Sequence, residues 1–176
     1  RVNIISNEAV HGGGMYLNHS SPFLSHMKIN NNITKYASLG FPGTNGGGIF
    51  ISNSNPIINH VTISDNEGYY GGGMFLHDSH VDLKNSILWG ISVGSQEIYY
   101  STTLPSSMTI SYSDIQGGEE AIETNGYPLY YLEGNISILP FFTDPQNGDY
   151  TLQEGSPCID AGIIMEDMEY CGNAPD

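Results

Sequence analysis

Gly12, Gly46 and Gly71 each open a run of three glycines, and each run begins a segment of one design. The segments read GGGMYLNHSSPFLSHMKINNN, GGGIFISNSNPIINHVTISDN and GGGMFLHDSHVDLKNSILWGI, and they align without internal gaps. Such a period means stacked units, each burying its apolar side against its neighbours.

The aligned columns give the type of unit. Met15, Ile49 and Met74 share a column, as do Leu17, Ile51 and Leu76, then Leu24, Ile58 and Leu83, and finally Ile29, Ile63 and Leu88. Polar or outward positions alternate with them at a period of two, which marks short half-buried strands. Ankyrin and tetratricopeptide repeats need two helical faces, and no 3.6-residue pattern supplies them. A turn of about 25 residues with Gly and Asn corners predicts an all-β solenoid, a right-handed parallel β-helix with turns about 4.8 Å apart.

The same register reaches both ends. Residues 61–74 lie over 2–15, so the chain is expected to begin in mid-turn. Residues 83–88 lie over 110–115 and 74–76 over 98–100, which predicts a fourth turn without its glycines. Residues 135–138 read as one more strand before Pro140, Pro145 and Pro157 break the pattern. The division expected is β-helix over 1–139 and an irregular, truncated C-terminal cap over 140–176. Between Asn32 and Gly46 an insertion carries Lys35, Tyr36, Phe41 and Pro42, a surface loop that either binds something or is merely tolerated.

Charge narrows the partners. Four basic residues stand against nineteen acidic ones, a net charge of −15. A nucleic-acid partner is excluded by the lack of clustered Lys and Arg. No apolar run is long enough for a membrane span. Sparse charge with abundant Asn, Ser, Thr and Tyr suits a secreted or cell-surface protein. Cys158 and Cys171 sit close together in the cap, away from any His or second Cys pair that would suggest zinc. They form either two separate thiols or a disulfide, the latter stabilising by roughly 3 kcal/mol and consistent with an oxidising compartment.

The segments GGGIFISNSNPIINHVTISDN and NSILWG, with SYSDIQGG and DPQNGDYTLQEGSPCIDAG further on, resemble the right-handed parallel β-helix repeat proteins of the pectate-lyase-like superfamily. The similarity covers nearly the whole chain and is greatest to large secreted or surface proteins of Bacteroidetes-type bacteria. Relatives tend to carry Asn after LWG where this chain has Ile91, so an Asn ladder through Asn32 and Asn66 is expected to stop there.

The resemblance implies polysaccharide lyases and hydrolases among the relatives, and the residues weigh against catalysis in this segment. A lyase needs a basic residue and calcium-holding carboxylates. Arg1, Lys28, Lys35 and Lys84 are dispersed along the chain. A glycosidase needs converging carboxylates, whereas Asp65, Glu67, Asp78 and Asp82 read as corner and face residues. His26 and His60 share a column beside Asn85 and read as a polar ladder rather than a metal site.

Two constellations remain as candidate sites. Tyr16, Phe50, Phe75 and Tyr99 form an outward aromatic column that could stack on sugar rings or a partner, or simply on itself. Asp144, Asn147 and Asp149 place three oxygen-bearing side chains in one tight loop, which suits calcium, although Asn-Gly and Asp-Pro favour a simple turn there. The reading these residues favour is a non-catalytic structural or adhesive module that meets a polysaccharide or cell-surface glycan, or copies of itself in an oligomer or filament. The alternatives are a carbohydrate-active enzyme segment and a glycan-binding module. Asn18, Asn32 and Asn135 are Asn-x-Ser/Thr sites, relevant in a glycosylating host.

Overall fold

The computed structural model describes residues 2–35, 44–90 and 96–164. They form an all-β parallel solenoid of about five turns, with almost no helix. One face is a sheet of Met15–Asn18, Ile49–Ser52, Met74–His77, Ile98–Tyr100 and Ile122–Glu123. The second and third faces share another sheet. Its long strands, Phe23–Asn30 and Ile57–Ser64, pass from the second face to the third at His26 and His60. Later turns divide the same course into His80–Lys84 and Ile87–Trp89, then Ser107–Ser111 and Asp114–Ile115. Val2–Ile5 heads the third face by pairing with 27–30, and Leu129–Tyr131 closes the second.

The expected apolar columns are in register. Met15, Ile49 and Met74 are mutual partners, as are Leu17, Ile51 and Leu76. Leu24 pairs with Ile58 and Ile58 with Leu83, while Ile29 and Leu88 both pair with Ile63. These side chains fill a single continuous core from Leu17 to Ile122. The fourth turn also falls where the sequence places it, with Ile110 on Leu83 and Ile98 on Met74. The fifth turn was not anticipated at Ile122–Glu123 and Leu129–Tyr131, and 135–138 contributes only a bridge between Asp114 and Ile136.

Corners between faces are made by single residues in the left-handed region. His19, Asn53 and Asp78, with φ of 50, 48 and 49°, form one such column. His26, His60, Asn85 and Tyr112 form a second, and Ser6, Asn31 and Asp65 a third. Asn, Asp and His are the non-glycine types that tolerate this conformation best, so the polar corners of the repeat are a backbone requirement.

The triple-glycine corner has a different hydrogen-bond pattern. In a parallel strand successive N–H groups point alternately to either side. Here Gly46, Gly47, Gly48 and Ile49 all donate to the next turn, to the carbonyls of Tyr70, Gly71, Gly72 and Gly73 at 2.9–3.1 Å. Gly12, Gly13 and Gly14 donate in the same direction to Asn45, Gly46 and Gly47. The backbones approach so closely that a Cβ on Gly47 would lie 2.6 Å from Gly72 O, which only glycine avoids.

Side-chain ladders run along the axis beside this backbone. Asn7 donates through its backbone N and Nδ2 to Asn32 Oδ1. Asn32 repeats both bonds on Asn66 Oδ1. Ser54 Oγ accepts from Ser20 N, Ser79 Oγ from Ser54 N, and Ser106 Oγ from Ser79 N, at 3.0–3.3 Å. Ile91, where the sequence suggests an end to the Asn ladder, lies outside the described residues, as do Tyr36, Phe41 and Pro42 of the insertion.

After the fifth turn, residues 140–164 run back along the coil. Phe142–Asp144 and Asp149–Leu152 form an antiparallel hairpin. Tyr150 from this hairpin reaches Asp65 and Asn31, and Ile163 reaches Asn85, so the segment bridges several turns from the side.

Candidate functional site

Tyr16, Phe50, Phe75 and Tyr99 stand in register on the outer side of the first face, and Glu123 follows Tyr99. Alternation along the strand sends Met15 and Leu17 inward and Tyr16 outward, and the parallel register repeats that choice in each turn. Ring centroids are 5.0 Å apart for Tyr16–Phe50, 5.0 Å for Phe50–Phe75 and 5.9 Å for Phe75–Tyr99, with interplanar angles of 35, 19 and 7°. The spacing follows the strand separation and falls within the range of favourable aromatic pairing.

The column is not a uniformly open stripe. Tyr16 is 52 % exposed, whereas Phe50 is 9 % and Phe75 5 % exposed. His11 leans on Phe50 at 5.2 Å, and Tyr70 on Tyr99 at 4.5 Å. Tyr69 meets Tyr70 edge-on at 4.7 Å and is 54 % exposed. Burial lowers the pKa of His11, favouring the neutral imidazole against the Phe50 ring. The ladder therefore offers exposed rings at Tyr16 and Tyr69 and stacked, covered rings between them. His11, Tyr69 and Tyr70 were absent from the sequence expectation; the available signal was that His11 and Tyr70 each directly precede a glycine run.

The proposed calcium residues lie on the hairpin. Asp144 and Asp149 are cross-strand partners, and Asn147 Nδ2 donates to Asp144 Oδ2 at 2.7 Å. Asp149 Oδ1 accepts from Thr151 Oγ1 at 2.6 Å and from Thr151 N at 3.0 Å. These bonds hold the Asp149 carboxyl below its ordinary pKa, and Lys28 adds to the effect. A cation bound by this trio would have to turn the Asn147 amide away from Asp144. Among the described residues, no three His, Cys, Asp or Glu side chains form a metal-binding group.

The other polar candidates lie apart from one another. His26 and His60 stack at 5.2 Å with their rings 3° from parallel. Asn85, the next residue of that column, donates to Asn59 Oδ1 at 3.2 Å. Asp82 is 3.2 Å from Lys84, and Asp65 accepts from Tyr150. Burial pushes the Tyr150 hydroxyl up to about 12, and the Asp65 charge adds to this. Cys158 is buried with Sγ 3.2 Å from Asp114 Oδ2, and Cys171 lies outside the described residues together with any bridge between them.

The arrangement can stack an apolar or sugar ring at Tyr16 or Tyr69, while its other side chains bind chiefly one turn to the next. No helix of the described residues is long and apolar enough to cross a membrane. No protein family, curated protein or solved structure matches the chain.

Proposed function

We propose that this chain is a non-catalytic structural and adhesive module, secreted or displayed at a cell surface. The observation that carries this reading is that its repeated polar and aromatic side chains bond along the axis. Asn7, Asn32 and Asn66 form one such ladder and Tyr16, Phe50, Phe75 and Tyr99 another. Side chains spent in this way stiffen a rod and keep its turns in register. The resemblance to large secreted or surface β-helix proteins supports the location, and the charge of −15 sets the chain apart from nucleic-acid binding.

The adhesive part rests on the exposed Tyr16 and Tyr69 rings, whose partner would be a polysaccharide or cell-surface glycan. A glycan array with calcium and with chelator, followed by assays for newly released reducing ends or unsaturated products, tests both parts. Binding without turnover that is lost in Tyr16→Ala supports the proposal. Turnover of any hit overturns it in favour of a carbohydrate-active enzyme, and binding unchanged in Tyr16→Ala and Tyr69→Ala removes the aromatic ladder as the adhesive element. Assembly into an oligomer or filament is checked by light scattering across concentration, and a strictly monomeric species counts against it.

A further inference from the structure

The returning segment, residues 140–164, holds the third face through widely spaced bonds. The Tyr150 hydroxyl donates to Asp65 Oδ2 at 2.7 Å and accepts from Asn31 Nδ2 at 3.1 Å. The Asn85 carboxamide clamps Ile163, accepting from its N–H at 2.8 Å and donating to its carbonyl at 3.2 Å. Cys158 Sγ donates to Asp114 Oδ2 at 3.2 Å. Asn31, Asp65, Asn85 and Asp114 belong to four successive turns, so the segment staples the coil sideways.

Asn30 is fully buried beside Tyr150. One group beneath the segment opposes its seating. Asp114 is buried at a cavity of about 20 Å³, room for one water molecule, lined by Asn85, Ser113, Gly134 and Cys158 among others.

The surroundings of Asp114 leave its charge poorly compensated. Its Oδ1 accepts from Ile138 N at 3.1 Å, and Oδ2 from Cys158. The ionisable groups facing it are Cys158 on the returning segment, Tyr131 on the second face and Tyr112 at the adjoining corner, with Glu119 beyond Tyr131. None of these is a cation. Burial pushes the carboxyl up to about 6, although both hydrogen bonds pull the other way.

We propose that residues 140–164 are a releasable strap, seated when Asp114 is protonated and loosened when it ionises. The direction follows from proton linkage. The seated form binds the proton more tightly than a solvated carboxyl of ordinary pKa 3.8. Seating is therefore strongest below about pH 4, weakens as the pH rises towards about 6, and is nearly constant above that. Loosening uncovers the outer side of the third face, where Asn30 and Ile87 are buried.

Amide hydrogen exchange read by mass spectrometry on the full chain, corrected for intrinsic rates, tests this. Peptides from 140–164 are expected to lose protection about tenfold or more between pH 4.5 and 7.5 relative to peptides from Ile49–Ser52 and Met74–His77. Asp114→Asn is expected to remove that difference. Strap and coil losing protection in parallel, or Asp114→Asn keeping the wild-type slope, overturns the proposal. Tyr150→Phe, at the far end of the strap with Asp114 intact, gives a second reading if Asp114→Asn does not fold. It should lower strap protection at both pH values and preserve the slope, and loss of the slope there is equally fatal.

Discussion

Asn66 Oδ1 accepts two hydrogen bonds from Asn32, one from the backbone N and one from Nδ2, both at 3.0 Å. Asn66 Nδ2 meanwhile donates to Ile29 O at 2.7 Å, so one buried carboxamide ties its own turn to both sides of the Asn32 corner in the turn before. Asn66→Ala removes three hydrogen bonds, with Asn32 Nδ2 keeping its bond to Ile4 O, and is expected to cost about 2–4 kcal/mol. Urea denaturation measures this, and a loss below about 1 kcal/mol would mean that the corner does not depend on the ladder.

The aromatic column should respond unequally along its length. Phe75→Ala empties a nearly closed site between two stacked rings and is expected to cost about 3–5 kcal/mol. Tyr16→Ala, at the exposed end, is expected to cost under about 1 kcal/mol. Similar losses at both positions, compared by thermal melts, would show that the cover over Phe75 contributes little.

Tyr100 presents the opposite case. Its side chain is fully buried in the core, and its hydroxyl has no hydrogen-bond partner among the described residues. Desolvation raises its pKa, as a stranded polar group requires. Tyr100→Phe should therefore stabilise the fold, by about 1–2 kcal/mol. A destabilisation of that size would reveal a partner for the hydroxyl.

The three glycosylation motifs separate by accessibility. Asn18 is exposed at the end of its strand, Asn32 is buried in the ladder, and Asn135 donates through Nδ2 to the carbonyls of Ile110 and Leu132. In a glycosylating host the folded chain is expected to carry one glycan, at Asn18. Intact mass before and after Asn18→Gln checks this, and a glycan remaining on Asn32 would mean modification ahead of folding.

The core was legible because stacking repeats one decision. Leu17, Ile51 and Leu76 are apolar at the same step of each unit, and a parallel register must line them up. The fifth turn was missed because a short 3₁₀ helix, Gly118–Ala121, replaces its corner and its first strand is only Ile122–Glu123, too short to show the column pattern. Alternation gave the direction of Phe50 and Tyr99 but not what leans on them, since His11 and Tyr70 come from the preceding corner. The returning segment was illegible for a related reason. Asn31, Asp65 and Asn85 read as turn formers, and nothing local shows that Tyr150 and Ile163 will reach them.

The glycine corner gives the coil a polarity that its sheets do not have. Because successive N–H groups there all face the later turn, the peptide dipoles of Gly46, Gly47 and Gly48 add instead of alternating, and those of Gly12, Gly13 and Gly14 lie in line with them. The corner thus carries a partial negative pole of carbonyl oxygens towards the first turn and a positive pole towards the later ones. Two copies meeting by the same end would oppose like poles along this edge, while copies in one direction would extend the alignment. A rod built from such coils would therefore have a front and a back.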